Sequence, residues 1–149
     1  MPAVDRLARE VSVLPRFFLV LGHQRGGQLT PPWPGGGRSD CAGALDGEWV
    51  AWRVVGSNHR ELGRSAVVFA NADAAREGIA AVRSGVELAV AVTEALCGMW
   101  GWQLHIEGAP AVVSSRLYQR ARDCADSLAT AVAGIKVAEL RDAVPRLPR

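Results

Sequence analysis

Two stretches of the chain alternate with period two. Across 48–56, Val50, Trp52 and Val54 fall on one side, and Trp49, Ala51, Arg53 and Val55 on the other. About fifty residues later Trp100, Trp102, Leu104 and Ile106 alternate with Met99, Gly101, Gln103 and His105. Successive strand side chains point to opposite faces, so both stretches predict half-buried strands with the first set inward and Trp52 and Trp102 as core anchors. Two other stretches carry a helical stripe. Ala75, Ile79, Val82 and Val86 recur at spacings of 4, 3 and 4, and Cys124, Leu128, Ala131 and Ile135 repeat those spacings. Each stripe lies on one helix face and can cover one side of a sheet, and Asn71 is placed to cap the first helix.

The remaining elements follow from shorter signals. Residues 16–22 form a continuous apolar run after Arg16, which predicts a strand covered on both sides. Turns at 57–60 and 108–110 lead into third strands over 61–69 and 111–118. Residues 90–97 form another strand, and short β-like runs at 86–89 and 136–140 follow the two helices. Residues 1–14 suggest a short helix stopped by Pro15. The patterns are also related to one another. Subtracting 50 from Trp102, Leu104 and Ser115 gives Trp52, Val54 and Ser65; with an offset of 49, Tyr118, Cys124, Leu128, Ala131 and Ile135 give Phe69, Ala75, Ile79, Val82 and Val86. A fixed period running from strand into helix indicates two copies of one supersecondary unit. The expected fold is α+β: two tandem β-β-β-α-β repeats forming one antiparallel sheet, with two helices on one face. The segments are 1–15, repeat one at 16–89 with an insertion at 22–47, repeat two at 90–141, and a Pro-broken tail at 142–149, in one compact domain. Phe69, Tyr118, Ile79 and Leu128 join the two tryptophans in the expected core.

The insertion at 22–47 is rich in Gly and Pro and has no periodicity to bury, so it reads as a long loop. Loops of that length in compact domains are usually functional or disordered. With 149 residues, 49% hydrophobic content and 21% charge, the chain is ordinary for a globular domain. No run of eighteen apolar residues is present, which excludes a membrane-spanning helix. Charged residues near the start, Asp5, Arg6, Arg9 and Glu10, occupy the place where a signal peptide needs its apolar region, so the expected location is cytoplasmic. The net charge of +2 supplies too little field to argue a nucleic-acid or membrane partner by itself.

Candidate chemistry is sparse. His23, His59 and His105 share no ligand spacing and read as surface histidines. Of the three cysteines, Cys124 falls on a helix stripe as a small hydrophobe, while Cys41, in the insertion, is the one expected to meet solvent. The odd count and wide separation of Cys41, Cys97 and Cys124 fit neither a disulfide framework nor a zinc knuckle. Gly35, Gly36 and Gly37 before Arg38 lack the preceding strand and following helix of a phosphate loop. Trp33, among Pro31, Pro32 and Pro34, either anchors a partner from polyproline II or folds onto the protein's own sheet. Arg116, Arg120 and Arg122 form a local basic cluster beside Tyr118, suited to phosphate contact and stacking, though Asp123 and Asp126 interleave with them.

The segment from Gly47 to Asn58, GEWVAWRVVGSN, followed by Ser65, Phe69, Ala75, Gly78, Ile79 and Val82, resembles the YegP-like family of small bacterial and archaeal proteins. The resemblance covers roughly 16–140 apart from the insertion. It implies β-β-β-α-β units sharing one sheet, with last strands exchanged: 86–89 pairing in repeat two, and 136–140 in repeat one. It implies no activity, cofactor or metal. The family's Asn-Gly turn is Asn58-His59 here and Glu107-Gly108 in repeat two, where a different turn geometry is expected. Repeat two also has Ser127 and Leu128 in place of Gly78 and Ile79. The expected function is a non-enzymatic, monomeric cytoplasmic scaffold or interaction module; the sequence leaves its partner unidentified, with a protein as one candidate. Two alternatives stand beside it. One is a nucleic-acid-binding module using the open sheet face and Arg116, Arg120 and Arg122; the other is a ligand-binding protein or enzyme with a pocket roofed by 22–47. Candidate partner-binding residues are Trp33, Trp49, Arg53, His105, Arg116, Arg120 and Arg122.

Overall fold

A computed structural model describes residues 14–23 and 48–141. Seven strands, β1 (Arg16–His23), β2 (Glu48–Val55), β3 (Glu61–Ser65), β4 (Val90–Leu96), β5 (Met99–Ile106), β6 (Ala109–Val113) and β7 (Glu139–Arg141), form one sheet in the order β4-β5-β6-β3-β2-β1-β7. Two helices, α1 (Ala72–Gly85) and α2 (Ala121–Val137), pack on one face of it. The fold is α+β, as expected. It is not wholly antiparallel, because β7 runs parallel to β1, pairing Glu139 with Arg16 and Leu140 with Phe17. No helix among the described residues is long and apolar enough to cross a membrane.

The alternating strands and the helical stripes meet in one core. Trp52, Trp102, Leu19, Phe17, Ile79, Val82, Cys124, Ala131 and Ile135 are buried in a single cluster, with Phe69, Tyr118 and Leu128 packed against it. The Phe17 ring meets Trp52 edge-on at 5.3 Å between centroids. Asn71 caps α1 as its position predicts: it is extended, and its Oδ1 accepts from Ala74 N at 2.8 Å. At the start of α2 Arg120 makes no side-chain cap bond.

Three expectations are corrected. Residues 86–88 form a 3₁₀ turn, not a strand, because the chain passes directly from α1 into β4. The expected strand at 136–140 is shorter, since α2 continues to Val137; β7 then joins the sheet beside β1. The third correction concerns the internal register. Ser65 Oγ accepts from Trp52 N at 3.2 Å, and Ser114 Oγ accepts from Trp102 N at 3.3 Å. Ser114, not Ser115, therefore makes to Trp102 the contact that Ser65 makes to Trp52. The offset changes earlier than the sequence suggests because the turns differ in length: 56–60 joins β2 to β3, whereas Glu107 and Gly108 alone join β5 to β6. That short turn has positive φ at both residues, 52° and 80°, the primed hairpin geometry that matches strand twist. Cys97 and Gly98 do the same between β4 and β5. The longer turn is held by Asn58 Oδ1, which accepts from Arg60 N, with His59 at φ 64°.

The two halves of the sheet meet at β3 and β6 through the pairs Arg64 with Val113 and Ser65 with Val112, and Ala66 N extends the joint by donating to the Ala111 carbonyl at 3.0 Å. Ser115 Oγ reinforces the joint by donating to the Glu61 carbonyl at 3.1 Å.

Candidate functional site

A cleft of about 850 Å³ opens beside this joint. Its walls come from three places: Asn58, Arg60, Glu61 and Leu62 from the β2–β3 turn and β3; Ser115, Arg116 and Tyr118 from the segment after β6; and Asp123, Asp126, Ser127 and Thr130 from α2. Each wall has a local cause. Tyr118 bridges Trp100 in antiparallel fashion, fixing the segment before α2 against β5. The helical period then places Asp123, Asp126, Ser127 and Thr130 on one face of α2. Leu62 points to the helix layer, where it lies 2.6 Å from the position a Cβ on Gly134 would take.

The cleft divides by charge. Arg60 and Arg116 are exposed on the strand side, and Asp123 and Asp126 on the helix side. The Arg116 guanidinium carbon stands 4.9 Å from the Tyr118 ring centroid, a cation–π separation. Glu61 receives Arg64 Nε through both carboxylate oxygens, at 2.9 and 2.8 Å. The floor is a hydrogen-bonded chain: Tyr118 Oη donates to Ser127 Oγ at 2.7 Å, and Trp102 Nε1 donates to the same oxygen at 3.0 Å. Asn58, Leu62 and Thr130 also line a second, more apolar groove of about 570 Å³ that includes Pro15, Ala129, Ala133, Gly134 and Val137.

The structure brings together only part of the expected site. Arg116 lines the cleft, while Arg120 and Arg122 are exposed at the start of α2 and do not line it. Arg53 is exposed on the sheet face away from the helices, and His105 is half-buried there, with Nε2 3.0 Å from Gln103 Oε1. Trp49 is on that face but is not open to a partner. It is 5% exposed, because its cross-strand neighbour is Gly22 and the indole fills the space: a Cβ on Gly22 would come within 2.0 Å of the ring. Val55, expected among the open residues, is 6% exposed. Trp33, Cys41, the glycine run at 35–37 and the suggested roof all lie outside the described residues. Cys97, in the β4–β5 turn, is exposed, a position the sequence did not single out; Cys124 is buried, and burial pushes its thiol pKa up. Among the described residues no group of three or more His, Cys, Asp and Glu side chains could hold a metal ion.

Sequence reasoning missed Phe18 altogether. A strand covered on both sides would bury it, yet it is half-buried, with the guanidinium carbons of Arg16 and Arg53 at 5.7 and 5.8 Å from its ring centroid. The available signal was the alternation of Arg16 and Phe18 with the core residues Phe17 and Leu19.

No protein-family model and no curated protein matches this chain. Two solution structures do. The protein of unknown function yegP from E. coli superposes with a TM-score of 0.57 at 14% identity, covering 90% of this chain and 97% of its own. A UPF0339 protein from Shewanella oneidensis superposes with a TM-score of 0.57 at 11% identity, covering 86% and 92%. The chain shares the YegP-like fold, and at these identities the likeness speaks for the fold alone.

Proposed function

We propose that this protein is a non-enzymatic cytoplasmic interaction module, built as a tandem β-β-β-α-β repeat, that receives an amphipathic protein segment in the cleft beside the β3–β6 joint. The observation that carries the reading is the cleft's continuity: a wall of arginines facing a wall of aspartates, sharing Asn58, Leu62 and Thr130 with an apolar groove along α2. A segment with both charges and one or two apolar side chains finds a partner for each along such a path. Binding suits the cleft better than catalysis. Ser115, Ser127 and Thr130 use their hydroxyls in bonds to Glu61, Tyr118, Trp102 and Asp126, so none is paired with a general base as an activated nucleophile requires.

The test is a backbone NMR titration of the full chain with short peptides combining lysine, glutamate and leucine. Shifts concentrated at 58–62, 115–118 and 123–137, and lost in both Arg116→Glu and Asp126→Lys, support the reading. Shifts absent throughout, or unaffected by both substitutions, would sink it.

A further inference from the structure

The sheet face away from the helices carries a second arrangement, separate from the cleft. Strand register places Arg141 opposite Phe18, Phe18 opposite Arg53, and Arg53 opposite Arg64, so these four residues form one row across β7, β1, β2 and β3. Strands are spaced about 4.8 Å apart, so the row extends about 15 Å. Arg16 stands two residues from Phe18 on the same face. Its guanidinium approaches the Phe18 ring, and its Nε is buried with no hydrogen-bond acceptor among the described residues. Among the described residues, the acids on this patch are Glu61, bound to Arg64, and Glu139, opposite Arg16. Four described arginines therefore face two described carboxylates around one aromatic ring.

We infer that this face binds single-stranded nucleic acid across the row Arg141, Phe18, Arg53 and Arg64. The chemistry is that of a stacking platform with a cationic surround. An unpaired base offers a flat π-face to Phe18 or to a guanidinium plane held over it, and the phosphates on either side meet Arg53 and Arg141, both exposed. The length of the row suits two to three nucleotides. A duplex, whose bases are already stacked on one another, cannot use the ring, which makes strandedness the distinguishing property. No residue of the row lines the cleft, although Glu61, which does, binds Arg64.

The experiment is fluorescence anisotropy of the full-length protein with a labelled twelve-nucleotide oligothymidylate and with a duplex of equal length, at about 50 mM salt and above. Single-strand binding is expected to exceed duplex binding by about fivefold or more, because unpaired bases are free to stack on the ring and paired ones are not. Arg53→Glu, at an exposed position, is expected to weaken binding about tenfold and to flatten the salt dependence. Phe18→Leu is expected to lose about fivefold, with the thermal midpoint followed because Phe18 also packs. Arg116→Glu, in the cleft, leaves oligonucleotide affinity within about twofold, so failure of the cleft reading and failure of this one are separable. No binding at low salt, equal affinity for duplex and single strand, or unchanged affinity in Arg53→Glu would each overturn the inference.

Discussion

In the first half of the molecule the Trp52 indole is 1% exposed, and its Nε1–H has no acceptor among the described residues. Beside it the Phe69 ring lies over Gly78, where a Cβ would come within 2.6 Å of the ring. In the second half, Trp102 is equally buried, but its Nε1–H reaches Ser127 Oγ, which also accepts from Tyr118. The pairs Phe69 with Gly78 and Tyr118 with Ser127 occupy matching places between strand and helix. One corner is closed by shape alone, and the other spends a hydroxyl on both neighbours. Each pair is therefore internally matched: a ring without a polar tip needs the bare helix position, and a ring with one needs a hydroxyl there.

The largest way to test that equivalence is truncation. Trp52→Ala and Trp102→Ala are each expected to destabilise by about 3–5 kcal/mol in denaturant unfolding, as buried aromatic deletions do; a negligible loss at either would remove it from the core. Phenylalanine sharpens the contrast. Trp102→Phe should cost about 1 kcal/mol more than Trp52→Phe, since only the former gives up a made hydrogen bond, and equal losses would erase the distinction between the corners.

Exchanging one member of a pair is the next test. Gly78→Ser forces the Phe69 ring aside and is expected to cost about 1–3 kcal/mol. Ser127→Ala leaves the Trp102 N–H and the Tyr118 hydroxyl without their acceptor, at about 1–3 kcal/mol. Calorimetry finding Gly78→Ser neutral would mean the ring has room that the geometry denies it.

The helix starts differ more gently. Asn71→Ala removes the cap of α1 and should cost about 1 kcal/mol, whereas Arg120→Asn supplies a cap that α2 lacks and should gain about 0.5–1 kcal/mol by thermal unfolding. A gain at neither end of the comparison, with Asn71→Ala silent, would show that tertiary packing alone sets both helix ends.

The smallest contrast lies between Ala75 and Cys124, which fill the same stripe position and are both fully buried. Burial holds the Cys124 thiol above its ordinary value of 9.0. The unfolded chain then releases this proton more readily than the folded one, so stability is complete below pH 9.0 and declines as pH rises toward the raised folded value. Unfolding measured across that window should slope downward in the native chain and less so in Cys124→Ala; identical slopes would remove the effect.

Much of this architecture was legible in residues. Trp52 and Trp102 stand out by strict alternation, the two stripes by their spacings, and Asn71 by its place one residue before α1. Ser115 was misread because equivalence by counting slips where turns differ in length, and a one-residue slip in a strand exchanges its faces. Trp49 looked open because its burial depends on Gly22, a cross-strand neighbour that only register identifies. Phe18 was hidden in an apolar run whose two sides cannot be told apart without the sheet. Of the expected site, Arg116 reaches the cleft, but the facing aspartates read as interruptions of a basic cluster because strand and helix walls converge only in the folded chain.

The placement of β7 beside β1 bears on how the chain acquires its structure. Phe17 pairs with Leu140, and Glu139 N donates to the Pro15 carbonyl at 3.0 Å, so a strand near the beginning waits for one near the end. Among the described strands β7 is the one that pairs with the outer edge of β1, so during synthesis that pairing waits until residues 139–141 have emerged. Closure over so long a loop carries an entropic cost and slows folding relative to the local hairpins β4–β5 and β5–β6. Chains ending after Ala138, compared with the intact protein by hydrogen exchange at 16–18, would measure how far that last pairing secures the first strand; unchanged protection there would show that β2 alone holds it.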